Sequence, residues 1–418
     1  MGGTSAIFGF SRPGLSSITT GGTSRYWPLG GNGFGSASTT EALGQMYFYS
    51  NGTLKNLGIT ITTNTYTLTF TSRINGGAGA QSISQTGTGH FSDSSNMDSV
   101  TSGQNVYIKA VTSDGSHTVT IAGGEVEFKA STGSGNPFCF SSSSYTVPVE
   151  YQSGAGSLSA FAPLYGGAQN TTPSPTETKL ADTKLRVSGT LQRYQTYVLV
   201  NTRTVACSVT SRKSTTDQNQ SVSIPNTGAT GYFEDSSNTD TVSGGDIWKY
   251  HLNVTTGTGT LGLAWMGCWF TTTNHQFDVG CGWDKTVASI STSVDNFYPI
   301  SGYGDSTTTE ANVKQVAMFD FTAGNLRCTV PTNSSGTTVT AALSINGSAG
   351  TMALSITNAV IGDFEDSSNQ DSITATETLA FRHGPPNNSS WIISNITMTG
   401  DPGAAPHRKR RIYWSQGG

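Results

Sequence analysis

Apolar and polar residues alternate along most of this chain with a period of two, and short turn signals interrupt the alternation. Tyr66, Leu68, Phe70 and Ile74 share one face of a run whose other face is mostly Thr and Ser, and Asn75-Gly76 follows. This pattern predicts a half-buried strand entering a two-residue hairpin, because Asn and Gly tolerate the positive φ angles such turns require. The pattern recurs at Val339, Ala341, Leu343 and Ile345 before Asn346-Gly347. A third version, Val205, Cys207 and Val209, runs into Arg212-Lys213 and a polar stretch instead, which predicts a longer and more exposed loop. Runs such as Val106–Val111, Trp248–Val254 and Leu261–Met266 predict further strands. No 3.6-residue stripe of useful length is present, so helix is expected only as a single turn after the Thr-Glu pairs ending at Glu41, Glu177 and Glu310.

The runs are arranged around a decapeptide, Gly-x-Phe-x-Asp-Ser-Ser-Asn-x-Asp, which occurs at Gly89–Asp98, Gly231–Asp240 and Gly362–Asp371. Other landmarks keep the same order around each copy. A Pro with a following Gly (Pro28, Pro163, Pro299) comes first, then Thr-Glu, then Gly52-Thr53-Leu54, Gly189-Thr190-Leu191 or Gly324-Asn325-Leu326. Ordered landmarks at a long, nearly constant period indicate duplication of a whole domain. About 100 residues run from each Pro to the last strand of its unit, the size at which an antiparallel sandwich closes one core. The expected division is an N-terminal arm plus first sandwich at 1–128, a lead segment plus second sandwich at 129–270, and a lead segment plus third sandwich at 271–400. A basic and aromatic tail follows at 401–418. The lead segments, Phe8-Gly9-Phe10, Phe138-Cys139-Phe140 and Cys281-Gly282-Trp283, read as strands or arms that pack on the preceding domain or a neighbouring subunit.

Composition narrows the function classes. Only 11% of residues are charged while Gly numbers 51, a makeup of short strands, tight turns and hydroxyl-rich sheet faces. A net charge of -4 gives no global attraction to nucleic acid or an anionic membrane. No run is apolar for long enough to span a bilayer, and the N-terminus lacks the basic and apolar regions of a signal peptide. The cysteines, Cys139, Cys207, Cys268, Cys281 and Cys328, fall at different places in the repeats, so they are expected as buried thiols rather than a disulfide framework.

The decapeptide is the first candidate for chemistry. Asp93, Asn96 and Asp98, with Asp235, Asn238, Asp240 and Asp366, Asn369, Asp371, offer oxygens at a spacing that a calcium loop could use. The same residues suit an Asx-type turn in which side-chain oxygens cap backbone N–H groups, with Phe91, Phe233 and Phe364 buried as turn anchors. The turn is the preferred reading, since no copy has the alternating acids and distal Glu of an EF-hand. Three copies also argue against a catalytic role. Neither a metal-spaced His pair nor a phosphate loop nor a nucleophile elbow is present, so no catalytic residue and no cofactor is assigned. The tail residues Arg408, Lys409, Arg410, Arg411, Ile412, Tyr413 and Trp414 read as a partner-docking segment, because terminal aromatics commonly anchor in a partner's pocket. Trp265, Trp269 and Trp283 are assigned to core and interdomain packing, ahead of a sugar platform. For a glycan site the loop aromatics to test are Trp248 and Trp269.

Taken together, Pro28-Leu29-x-Gly, Thr39-Thr40-Glu41, Gly52-Thr53-Leu54, the Asn-Gly hairpin and Phe-Glu-Asp-Ser-Ser-Asn-x-Asp resemble a β-sandwich repeat of tailed-bacteriophage virion surface proteins. The resemblance implies an all-β chain of three tandem antiparallel β-sandwich domains, of jelly-roll or immunoglobulin-like type, with extended terminal arms. It implies a non-enzymatic structural protein on the particle exterior, assembled in the host cytoplasm, that decorates or reinforces the capsid. The alternative within the same group is a tail or head fibre that recognises host surface glycan. Partners would be other virion proteins, capsid or tail subunits, and further copies of the chain, with neither membrane nor nucleic acid.

Overall fold

In the computed structural model, the period-two runs are strands. The structure describes residues 5–10, 16–19, 24–29, 40–113, 118–131, 137–144, 149–153, 158–164, 166–168, 182–226, 228–254, 257–272, 276–284, 291–301, 307–387, 391–393 and 395–403. Among them the chain is all-β, with helix limited to single 3-10 turns at Glu41–Leu43 and Glu310–Asn312, each directly after its Thr.

Twenty-four of the strands among the described residues form three units of eight, and the rest are short additions to them. The first comprises Ser5–Phe10, Arg25–Pro28, Gly52–Thr63, Leu68–Ile74, Gly77–Gln85, Gly89–Val100, Asn105–Thr112 and Thr118–Ala130. The second comprises Pro137–Ser144, Leu158–Ala162, Gly189–Asn201, Cys207–Lys213, Thr216–Ile224, Gly231–Val242, Ile247–Val254 and Gly259–Thr272. The third comprises Phe277–Asp284, Asn296–Tyr298, Phe321–Val330, Val339–Ile345, Ser348–Ile356, Gly362–Ile373, Thr378–His383 and Asn395–Asp401. In every unit the first strand pairs antiparallel with the eighth, the second with the seventh, the third with the sixth and the fourth with the fifth. One sheet of each unit therefore runs 1-8-3-6 and the other 2-7-4-5. This is a long hairpin rolled on itself, the jelly-roll arrangement rather than the immunoglobulin one.

Alternation explains the cores. Leu54, Leu57, Ile59 and Ile61 on the third strand of unit one, with Val126 and Phe128 on its eighth, are buried and face Leu68, Phe70, Val106 and Ile108 of the other sheet. Corresponding residues fill units two and three, and one apolar cluster runs through all three units. Burying each such side chain contributes roughly 1.5–3 kcal/mol, so the polar, weakly charged surface still encloses a sizeable core. The described cysteines, Cys207, Cys268, Cys281 and Cys328, are buried free thiols within it.

One sequence expectation is narrowed and a second corrected. The first is the lead segment: of strand or arm it is the strand, in each unit paired with that unit's own eighth, and Trp283 of the third lead also pairs with Gly167 of the preceding unit. The second is the Arg212-Lys213 hairpin, which is no longer than the others. Lys213 pairs with Thr216 across a two-residue turn, and Ser214 takes a φ of 52°, matching Asn75 at 49° and Asn346 at 51°. A serine pays the small left-handed penalty that Asn largely avoids, and the strand register still closes the turn.

The units do not sit apart. A short strand, Gly166–Ala168, pairs in parallel with Pro137–Ser144 on one side and with Phe277–Asp284 on the other. It fuses the 1-8-3-6 sheets of units two and three into one sheet, whose tenth strand is Val149–Ser153, paired with Gly259–Thr272.

Candidate functional site

The decapeptide is not a corner between strands. It lies within the sixth strand, and the expected turn is a bulge in the middle of that strand. In unit one Lys55 pairs with Met97 and Leu57 with Asp93, so Ser94, Ser95 and Asn96 bulge opposite Asn56 alone. The same shift places three residues opposite Arg193 and opposite Asn325. Those facing residues adopt φ of 54°, 56° and 51°, the left-handed bend that the longer strand imposes on the shorter one. The side chain of Asp93 holds the bulge, its Oδ1 accepting from Ser95 N at 3.2 Å and Asn96 N at 3.1 Å. Asp235 and Asp366 repeat these bonds.

The second oxygen of each carboxylate reaches across to the other sheet. Asp93 Oδ2 accepts from Ser82 N at 2.9 Å, Asp235 from Ser221 N at 2.8 Å and Asp366 from Ala353 N at 2.9 Å. The last Asp of the decapeptide does the same one step along. Asp98 accepts from Ala80 N and from the Ser72 hydroxyl, Asp240 from Asn219 N at 2.8 Å, and Asp371 from Thr351 N at 2.7 Å. The fifth and sixth strands are the open edges of opposite sheets. The two carboxylates therefore clasp one edge to the other and occupy N–H groups that would otherwise template pairing with another chain. Burial alone would raise the pKa of Asp93, but the Asn96 amide and the Ser82, Asn96 and Ser95 N–H groups outweigh it and hold the carboxyl below its usual range. Asp235 and Asp366 are shifted the same way for the same reasons.

This geometry bears on the calcium reading. Asn96 and Asn238 turn their amide NH2 toward Asp93 and Asp235, at 2.9 Å in each case, so these carboxylate oxygens already accept from amide donors. Among the described residues no group of three His, Cys, Asp or Glu side chains is placed to hold a metal ion. Phe91, Phe233 and Phe364 are half-buried, packing on the core from the edge strand instead of pinning a corner. Residues 408–414 of the tail lie outside the described residues. Trp248, Trp265 and Trp269 are buried in the core, so Trp248 and Trp269 offer no exposed platform to a sugar.

The invariant decapeptide positions hold a unit together, while some of its variable positions meet a neighbouring unit. After the Thr-Glu landmark each chain segment is anchored to the residue just before its own seventh strand, by Phe48 N to Gln104 O, Leu185 N to Asp246 O and Ala317 N to Glu377 O. From there it extends onto the 1-8-3-6 sheet of a neighbour. Tyr47 packs on Tyr232 of unit two with ring centroids 4.5 Å apart, the Tyr49 and Tyr232 hydroxyls lie 2.8 Å apart, and Phe48 meets Trp269 edge-on. Arg193, the bulge residue that replaces Asn, lies 4.7 Å over the Tyr49 ring.

Unit two reaches unit three through charge. Lys184 and Arg186 pair with Glu365 at 3.3 and 3.0 Å, and Arg186 N donates to the buried Asp278 at 3.1 Å. Unit three returns to unit one through apolar contact over buried acid. A Cβ on Gly58 would stand 2.6 Å from both Met318 Cε and Glu125 Oε1, so only Gly admits Met318 there. The three seams thus close a ring, 1 to 2, 2 to 3 and 3 to 1, each built at equivalent positions from different chemistry. Decapeptide residues His90, Tyr232 and Glu365 contribute to the difference. These seam residues escape a reading of each repeat alone. Their signal is that aligned positions Tyr49, Arg186 and Met318 are chemically unrelated inside an otherwise regular repeat.

Titration follows burial at the seams. Glu125 alternates with Val126 and so points away from its own core, yet it is fully buried. Desolvation lifts its carboxyl to about 8, and the nearby Val316 N–H opposes this only weakly. Desolvation likewise raises Asp278 to about 7 against the N–H groups of Arg186 and Val187. Beside the second seam lies an open groove of about 490 Å3 lined by Ser355, Phe364, Glu365, Ser367, Ser368 and Asn369. No protein-family model matches the chain, and no curated protein matches it.

Proposed function

We propose that this chain is a non-enzymatic structural protein of a tailed-phage virion, placed on the particle exterior, where it decorates and reinforces the capsid. The observation that carries this reading is the closed ring of three jelly-roll units whose seams differ chemically. Such a ring has three similar faces in fixed order, and a shell offers similar sites around its symmetry axes. Jelly rolls are a common capsid architecture. Clasped sheet edges suit a protein packed at high local concentration, because they block uncontrolled strand addition. The resemblance of the repeat landmarks to phage virion proteins points the same way. Cryo-electron microscopy of purified particles tests the reading: density for three-unit rings on the capsid is expected, and rings confined to the tail tip or absent from particles would sink it.

A second reading, a fibre that binds host surface glycan, is favoured by the groove beside Phe364. Hydroxyls, an amide and a carboxylate around one aromatic ring are the groups that orient and stack a sugar. Glycan-array binding that disappears in Phe364→Ala would support it, and an array without signal would remove it.

A further inference from the structure

The chain itself joins unit one to two and unit two to three, so the seam between units three and one is the joint that closes the ring without a connecting segment. That seam is also where a fully buried carboxylate is poorly compensated: Glu125 lies near the Val316 N–H and the His90 ring, with no side-chain donor at normal hydrogen-bond distance among the described residues. We propose that this seam is an exchangeable joint through which copies of the chain associate, the Gly58–Glu125–His90 face of one copy receiving the Gln315–Met318 segment of another.

The partner is specified by the contact already made. Every surface that a second copy needs is used inside one chain, in the same geometry, so opening the seam leaves two complementary faces on each molecule. A head-to-tail contact of this kind closes on itself or continues between molecules. In dilute solution closure within the chain wins, since the tethered segment is held at an effective concentration on the order of millimolar. Dense packing of copies removes that advantage.

The charges at the joint decide how firmly it closes. From unit one the facing groups are Glu125 and His90, whose Nδ1 lies 3.5 Å from Glu125 Oε1 and 3.2 Å from the Thr60 hydroxyl. Glu127 follows on the same face but is held by Lys55 at 3.1 Å and Asn56 at 2.6 Å. Unit three brings Lys314, whose charge opposes protonation of His90, and Glu310, which accepts from the Ser344 hydroxyl. Burial and Lys314 depress His90 to about 4, so it is neutral near pH 7 and does not compensate Glu125. The raised carboxyl binds its proton more tightly in the closed joint than when exposed. Glu125 therefore favours closure in mild acid and weakens it as the pH climbs toward 8, while His90, which gives up its proton on closure, partly offsets this below its ordinary 6.5.

Complementary variants test the proposal, which does not depend on the virion reading. Met318→Glu spoils the donor segment of one chain, and Gly58→Val spoils the receiving face of another. Each alone should be monomeric by light scattering. Mixed at pH 6, they should form a heterodimer through the remaining intact pair, with a Kd that rises more than tenfold by pH 8.5. Adding Glu125→Gln to the receiving chain should flatten that pH dependence. A mixture that stays monomeric at pH 6, with both variants showing native β-sheet circular dichroism, overturns the proposal. Should either variant lose that spectrum, the wild-type chain decides. Concentrated to roughly millimolar, raised to pH 8.5 and returned to pH 6, it should yield dimers, and wholly monomeric recovery overturns the joint.

Discussion

Asp235→Ala removes the clasp of unit two together with the bonds that hold its bulge. The wild-type carboxylate accepts from Ser221 N across the sheets, from Ser237 N and Asn238 N within the bulge, and from the Asn238 amide. A hydrogen bond to a charged group contributes roughly 1.5–3 kcal/mol when its donor is left dry on removal. Here Ser221, Ser237 and Asn238 are themselves exposed, so water reclaims the freed N–H groups and the bonds are worth well under their sum. We expect a net loss of about 2–3 kcal/mol in unit two, measured as a shift of the urea midpoint at constant slope. Faster hydrogen exchange should appear at Ser221 N. The pH dependence gives the sharper test. A carboxyl with a depressed pKa stabilises the fold above its unfolded value near 3.8, and that contribution is lost as the pH falls through the folded value. The gap between wild type and variant should therefore be full at pH 6 and shrink steadily below pH 4. An equal gap at pH 3 and pH 6, or a cost below about 0.5 kcal/mol with unchanged exchange at Ser221, would refute the clasp.

Phe233→Ala should cost about 1–2 kcal/mol, below the roughly 3–5 of a fully buried Phe, because the ring is only half-buried on the edge strand; urea denaturation reads this directly. Glu365→Ala should leave Lys184 and Arg186 unpaired and loosen the seam between units two and three by about 1–2 kcal/mol, with added salt reducing the difference and exchange at Arg186 N reporting it. Excess chelator should leave the melting temperature unchanged, as the decapeptide oxygens are occupied by N–H donors, and a drop of several degrees on chelation would restore the calcium loop.

The sheet content was legible because strands such as Leu68–Ile74 and Ser348–Ile356 alternate, and the unit count because Phe91, Phe233 and Phe364 recur with the same neighbours. The bulge was not legible, since Asp-Ser-Ser-Asn satisfies local N–H groups equally well in a turn and in a bulged strand. Only the partner strand, with Asn56 or Arg193 forced to positive φ, separates the two. The clasp was invisible for a related reason: Asp98 and Ala80 meet through sheet packing, which no local pattern encodes. Burial of Glu125 could have been suspected from Glu125-Val126-Glu127-Phe128, where acids alternate with core residues on a last strand. What buries it comes from another unit, far away in sequence.

The three-residue strand Gly166–Ala168 gives the molecule an uneven mechanical hierarchy. Backbone hydrogen bonds on both of its sides tie the leading strands of units two and three together, whereas side chains carry the seams of unit one described above. Stretched between its ends, the chain should shed unit one as an intact jelly roll at low force. Units two and three should then yield later and as one body, since separating them means shearing a continuous sheet rather than parting two surfaces.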